Sequence, residues 1–202
     1  MSLQVDYYVS LNSPWTHLGG ARLMDIAARC GATVRIHPID TTEVFPATGG
    51  LPLPKRSPQR QAYRLQELAR WRDHLDIPIH LTPKHYPAKE APAAHCVLAV
   101  RETIGARPAV DLAHRVLKAL WEEEVDTGDR GTLGRLIGEV GLDGPSILKR
   151  ADDERWAELR SRETLAAIER GVFGAPTYAV GEDIFWGQDR LDFLERRLRV
   201  GR

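Results

Sequence analysis

The sequence predicts an α/β fold in which one sheet layer is interrupted by a helical insertion. Three observations predict it. The first 38 residues read strand, helix, strand. Residues 93–170 carry helical periodicity almost throughout, and the last 30 read strand, strand, helix. The two ends are far apart in the chain yet share strand character, so they are expected in one sheet.

The first strand is expected over 3–10, where Val5, Tyr7, Tyr8 and Val9 give short β-rich material. Ser13-Pro14 then starts a helix: the serine oxygen caps free N–H groups, and proline takes a position that needs no donor. Leu18, Ala21, Leu23, Met24, Ile26 and Ala27 recur near helical period, and Gly31 ends the run. A second strand is expected over 33–38, giving β-α-β and hence a parallel pair. Residues 41–60 hold Pro46, Gly49, Gly50, Pro52, Pro54 and Pro58 and are expected to be an irregular loop. Such long loops are often functional. Helix resumes over 61–76; prolines at 78, 83, 87 and 92 follow, and helical breaks are expected at 105–108, 126–131 and 141–145. The tail gives a strand to Val180, a turn at 181–183, a strand over 184–186 and a final helix over 190–198.

Composition narrows the function. Basic and acidic residues number 28 each, so the chain lacks the basic excess of a nucleic-acid binder. No stretch reaches the ~18 apolar residues of a membrane span. The start, Met1 to Asp6, lacks the basic and apolar regions of a signal peptide, and a cytoplasmic location is expected. Cys30 and Cys96 form no C-x-x-C pair. The seven histidines show no metal-ligand spacing, so no metal is expected. P-loop, G-x-G-x-x-G and G-x-S-x-G motifs are absent.

Four groups could carry chemistry. Ser13 stands where a strand hands over to a helix, a place that favours an anion and lowers a thiol pKa; from local sequence alone a plain N-cap is the simpler reading. Ala175-Pro176 enters a strand and by spacing alone reads as an ordinary trans edge feature. Gln188-Asp189 opens a helix after Gly187, either as another cap or as a grip on a carboxylate and an ammonium. Lys55, Arg56, Arg60 and Arg64 form a basic group, solvated or suited to a carboxylate. Trp15, Trp71, Tyr86 and Trp186 could wall an aromatic ligand or fill the core.

Taken together, these segments resemble a known family. YVSLNSPWTHL, residues 8–18, is similar to the active-site start of the 2-hydroxychromene-2-carboxylate isomerases, which belong with kappa-class glutathione transferases in the DsbA-like branch of the thioredoxin fold. VFGAPTYAVGEDIFWGQDRLDFLE resembles the second signature of that family, and YRLQELARWRDHLDIPI its middle helix. The resemblance implies a thioredoxin-like domain, 1–70 and 166–202, split by a helical insertion domain, 71–165. It implies glutathione as cofactor, with Ser13 facing the sulfur. It further implies a cis Ala175-Pro176 bond with the Ala175 backbone on the cysteinyl part, and Trp186, Gly187, Gln188 and Asp189 at the γ-glutamyl end. Arg60 stands where kappa enzymes carry a glutathione-site lysine. Phe45, Lys55, Arg56 and Tyr86 fall near the organic substrate. Phe45 replaces a lysine of the isomerases, and Gly50 an asparagine of the kappa enzymes.

The implied activity is glutathione-dependent isomerisation of a small aromatic-derived carboxylate. A kappa-like transferase and a non-catalytic binding module are the alternatives. A dithiol redox protein is disfavoured because Ser13 and Thr16 carry no sulfur. Beyond that substrate, the expected partner is at most a second copy in a homodimer. Charge reversal at Arg56 is expected to raise the KM for the organic acid more than it weakens glutathione binding, as steady-state kinetics at varied glutathione would show.

Overall fold

A computed structural model describes residues 3–200. Its sheet has strands β1 (Gln4–Val9), β2 (Thr33–Pro38), β3 (Thr177–Val180) and β4 (Asp183–Trp186), in the order β2-β1-β3-β4. β1 and β2 run parallel, with Val5 beside Val34; β1 and β3 run antiparallel, with Tyr7 beside Tyr178. The strand–helix–strand opening and the shared sheet are therefore as expected.

Helix α1 (Pro14–Cys30) starts at Ser13, whose Oγ accepts from the Thr16 N–H at 3.2 Å, and ends at Gly31 with φ 58°. Residues 41–60 depart from the expected irregular loop. Helix α2 covers Thr41–Thr48, a 3-10 turn covers Leu53–Lys55, and α3 (Pro58–Leu75) begins earlier than expected. The physical reasons are local. Asp40 caps α2 by accepting from the Thr42 N–H at 2.9 Å, so a two-turn helix tolerates Pro46. Ser57-Pro58 repeats the Ser-Pro start of α1.

The remaining helices are α4 (Glu90–Thr103), α5 (Ala106–Trp121), α6 (Arg130–Glu139), α7 (Gly144–Ala151), α8 (Arg155–Glu169) and α9 (Leu191–Val200). The break between α7 and α8 at 152–154 carries neither glycine nor proline and escapes the sequence reading.

The two-residue period of β1 divides the core. Val5, Tyr7 and Val9 face the larger side with α1, α4 and α5, where the Tyr7 and Tyr178 rings stack at 5.3 Å. Tyr8 faces the smaller side with Ile39, Val44 and Ala167. Both cysteines are buried, at 3% exposure for Cys30 and 1% for Cys96, and burial pushes the Cys96 thiol up to about 12.

A charged cluster fastens the helices to the sheet. His37 on β2 bonds Glu163 of α8 at 2.9 Å and Asp6 of β1 at 3.2 Å. Arg101 of α4 donates to Glu163 at 2.8 Å and to the Ile36 carbonyl at 2.6 Å. Arg170 donates to Asp6 at 2.8 Å. Burial alone would raise the Glu163 pKa, but the bonds from His37 and Arg101 outweigh it and hold the carboxyl at about 2. Burial likewise opposes the charge on His37, and the two carboxylates overcome it, so its pKa rises.

The signs set a stability window. The Glu163 contribution is complete above its ordinary 4.5 and is lost as pH falls toward about 2. The His37 contribution is complete below its ordinary 6.5 and is lost as pH rises through its raised folded value. Urea unfolding across pH is expected to show a plateau between about pH 5 and 6.5. Glu163→Gln is expected to flatten the acid limb and to cost about 3 kcal/mol within the plateau.

Candidate functional site

The site forms where β1 passes into α1. The loop after β1 brings its own backbone donors into order. The Asn12 N–H bonds Ser10 Oγ at 3.2 Å and the Ser13 N–H bonds the Ser10 carbonyl at 3.0 Å. The Leu11 N–H donates to the Glu90 carboxylate at the start of α4. Asn12 forms a reciprocal pair with Ala88, donating at 3.0 Å and accepting from the Ala88 N–H at 2.9 Å. The stretch before α4 is thereby pinned to the loop before Ser13.

Behind Glu90 lies Arg160 of α8, 8% exposed, which donates to the Ile39 carbonyl at 3.1 Å and pairs with Asp40 at 3.2 Å. Burial raises the Glu90 pKa, against the opposing effects of Arg160 and the Leu11 N–H.

Ser13 sits at the helix mouth. Its hydroxyl donates to the Ala175 carbonyl at 3.3 Å while accepting from Thr16. Pro14 has no N–H, and the Trp15 N–H lies by position outside the helical ladder. His17 is turned away: its Nε2 bonds Glu122 at 2.8 Å, and that bond holds the Glu122 carboxyl below its ordinary value. The Ala175-Pro176 bond is cis, as the resemblance implies and local spacing does not; Tyr86-Pro87 is a second cis bond that the sequence reading misses.

Two cavities meet here. A larger one of about 530 Å³ lies between the Ser13 loop, α2, α3 and the 86–91 segment. A smaller one of about 320 Å³ runs from Trp15 and Trp71 to the β4 end at 186–190. Trp15, Arg56 and Ala175 line both, so they form the shared wall.

The expected residues distribute unevenly over these spaces. Phe45 and Tyr86 line the larger cavity; Phe45 packs on Gly50, whose position leaves no room for a Cβ against the ring. Trp186, Gly187, Gln188, Asp189 and Pro176 line the smaller one. Gly187, at φ 98°, bonds the Pro176 carbonyl at 2.9 Å. Trp186 is half exposed and leans on Phe173 at 4.8 Å. Gln188 is buried at 2% exposure, and its amide oxygen is taken by Arg22. Asp189 is exposed, 3.5 Å from Arg190. Arg60 lies in a neighbouring open cleft with Tyr63 and Arg64. Lys55 is exposed and lines neither cavity.

The comparisons with known proteins bear on this arrangement. The model of the DSBA-like thioredoxin domain matches residues 4–199. A 2-hydroxychromene-2-carboxylate isomerase of Sphingobium xenophagum is 30% identical over 200 residues, 98% of this chain and 99% of that protein. The chain belongs to that isomerase family, within the DsbA-like thioredoxin fold. The isomerase of Pseudomonas putida is also 30% identical, over 95% of this chain and 92% of that one. A solved 2-hydroxychromene-2-carboxylate isomerase superposes with TM-score 0.80 at 28% identity, covering 97% and 94% of the two chains. A cytosolic disulfide reductase of Pseudomonas aeruginosa, solved with GSH, shares the fold at TM-score 0.68 and 19% identity, covering 98% and 100%. Kinship with the isomerase family supports an isomerase activity. Among the described residues, no helix is long and apolar enough to cross a membrane.

The residues that sequence reasoning misses are the supports: Asn12, Glu90, Arg160 and Arg22. No local pattern links Asn12 to Ala88, 76 residues on. Asn12→Ala removes both bonds of the reciprocal pair. It is expected to lower stability by about 1–3 kcal/mol in urea unfolding.

Proposed function

We propose that the protein is a glutathione-dependent isomerase that interconverts 2-hydroxychromene-2-carboxylate and trans-o-hydroxybenzylidenepyruvate, or a close aromatic-derived analogue. The observation that carries the reading is the shared wall. Ala175 lies on that wall and Ser13, which lines the larger cavity, donates its hydroxyl to the Ala175 carbonyl, so a thiol held in the smaller cavity beside Ala175 would lie next to Ser13 and to a carbon held in the larger one.

The residues fit glutathione. The backbone of Ala175 beside Ser13 suits an extended cysteinyl unit, and Asp189 offers a carboxylate to a γ-glutamyl ammonium. Trp186 and Gly187 supply the remaining wall. Gln188 acts through its backbone and through the orientation of Arg22, because its side chain is engaged. Arg60, one cleft away, serves the outer rim. Held by these residues, glutathione would supply a thiolate nucleophile for reversible addition to the conjugated double bond.

The chain's own residues do three things for that chemistry. Ser13 swings its hydroxyl from Ala175 to the sulfur anion, and the α1 N-terminus adds its dipole; both favour the thiolate over the thiol. Phe45, Tyr86 and Trp15 wall a flat substrate and exclude water around the reacting bond. Arg56, on the shared wall, adds positive charge next to both ligands. Ser13 is a donor here and not a nucleophile, since His17, the nearest histidine in sequence, is bound to Glu122.

Turnover with and without glutathione tests the function. Unmodified glutathione recovered after turnover marks an isomerase, and a thioether product would mark a transferase instead. For Ser13→Ala, ultraviolet titration of bound glutathione is expected to show a raised thiol pKa. A hydrogen bond to a charged group contributes ~1.5–3 kcal/mol, so kcat is expected to fall about 10- to 200-fold. An unchanged thiol pKa with full activity would reduce Ser13 to a helix cap.

A further inference from the structure

We propose that Arg64 anchors a carboxylate of the organic ligand, so that the larger cavity grips an anion on α3 and turns the rest of the molecule toward Ser13. The proposal deepens the function above and rests on it only for the identity of the ligand.

Six charged side chains line the cavity: Asp40, Arg56, Arg64, Lys89, Glu90 and Arg160. Asp40 and Glu90 flank Arg160 at 3.2 and 3.7 Å, so these three neutralise one another. Lys89 is exposed ahead of α4. Arg56 donates its Nε–H to the Leu51 carbonyl at 2.8 Å. Arg64 differs from all of them. No hydrogen bond or ion pair joins it to any described residue, and its Nη2 is shielded from solvent with no partner.

The guanidinium is held by aromatic faces, 5.5 Å from the Tyr86 ring and 5.8 Å from the Trp121 ring. Those faces attract the cation but accept no in-plane hydrogen bond, and Nη2 stays unsatisfied. Burial, and after it the charge of Arg56, depress its pKa despite the favourable effect of Tyr86. A cation placed so, without a counter-charge, is costly until an anion arrives. The planar fork of arginine matches a carboxylate with two parallel bonds. The other walls, Trp15, Phe45, Pro52 and Leu53, are apolar, which selects a flat monoanion with a hydrocarbon body.

The test uses trans-cinnamate and its neutral amide, cinnamamide, titrated into the full chain by calorimetry without glutathione. The wild type is expected to bind cinnamate about 10-fold or more tightly than cinnamamide. Arg64→Met is expected to bind both like the amide, and Arg64→Lys to regain part of the preference. Loss of packing against Tyr86 alone would weaken both ligands equally and keep the preference. A preference that survives in folded Arg64→Met, or is absent from the wild type, overturns the proposal. Should Arg64→Met fail to fold, Arg64→Lys and Arg56→Gln decide: loss of the preference only in Arg56→Gln overturns it. A wild type that prefers cinnamate through Arg64 yet shows no glutathione-dependent turnover would refute the isomerase and leave the anchor standing.

Discussion

The loop between β1 and α1 has no regular structure of its own, yet every property of the site depends on where it lies. Its position is set by backbone polar groups that must find partners away from water. Glu90 takes the Leu11 N–H, and Asn12 and Ala88 satisfy each other. These bonds join the first turn of the sheet to the stretch before α4, and Arg160 fills the space behind with a guanidinium braced on two strand-end carbonyls. The mouth of α1 is therefore fixed by groups from three distant parts of the chain. A helix mouth so braced can present its dipole in one direction only.

That direction explains the division of the space in front of it. One cavity is bounded by the sheet edge and the β4 turn, the other by α2, α3 and the cis Tyr86-Pro87 segment. The first is polar at its far end and the second apolar over most of its wall. The two spaces thus differ in character while sharing Trp15, Arg56 and Ala175. In the proposed reaction such a shared wall would contribute proximity, which is a large share of what a bimolecular addition needs from a protein.

The fold was legible in the sequence where the period was regular. The strands with Val5, Tyr7 and Val9, and with Val34 and Ile36, alternate as a half-buried sheet must, and the long helices repeat at their own period. The 41–60 segment was hidden by its prolines, although Ser57-Pro58 carries the same start signal as Ser13-Pro14. At the site, Ser13 and the Gly187 turn were visible because caps and turns have local chemistry. Glu90, Arg160 and Asn12 were not, because their roles exist only through contacts across the fold. Arg64 was visible as a charge in a basic group. Its lack of a hydrogen-bond or ion-pair partner is a property of the three-dimensional surroundings.

Both sulfur atoms of cysteine are out of solvent, Cys30 in the last turn of α1 and Cys96 inside α4, with the second held as a neutral thiol. Soft electrophiles such as conjugated ketones and quinones react with exposed thiolates and hardly at all with buried thiols. With both thiols so placed, such compounds meet no exposed cysteine sulfur among the described residues.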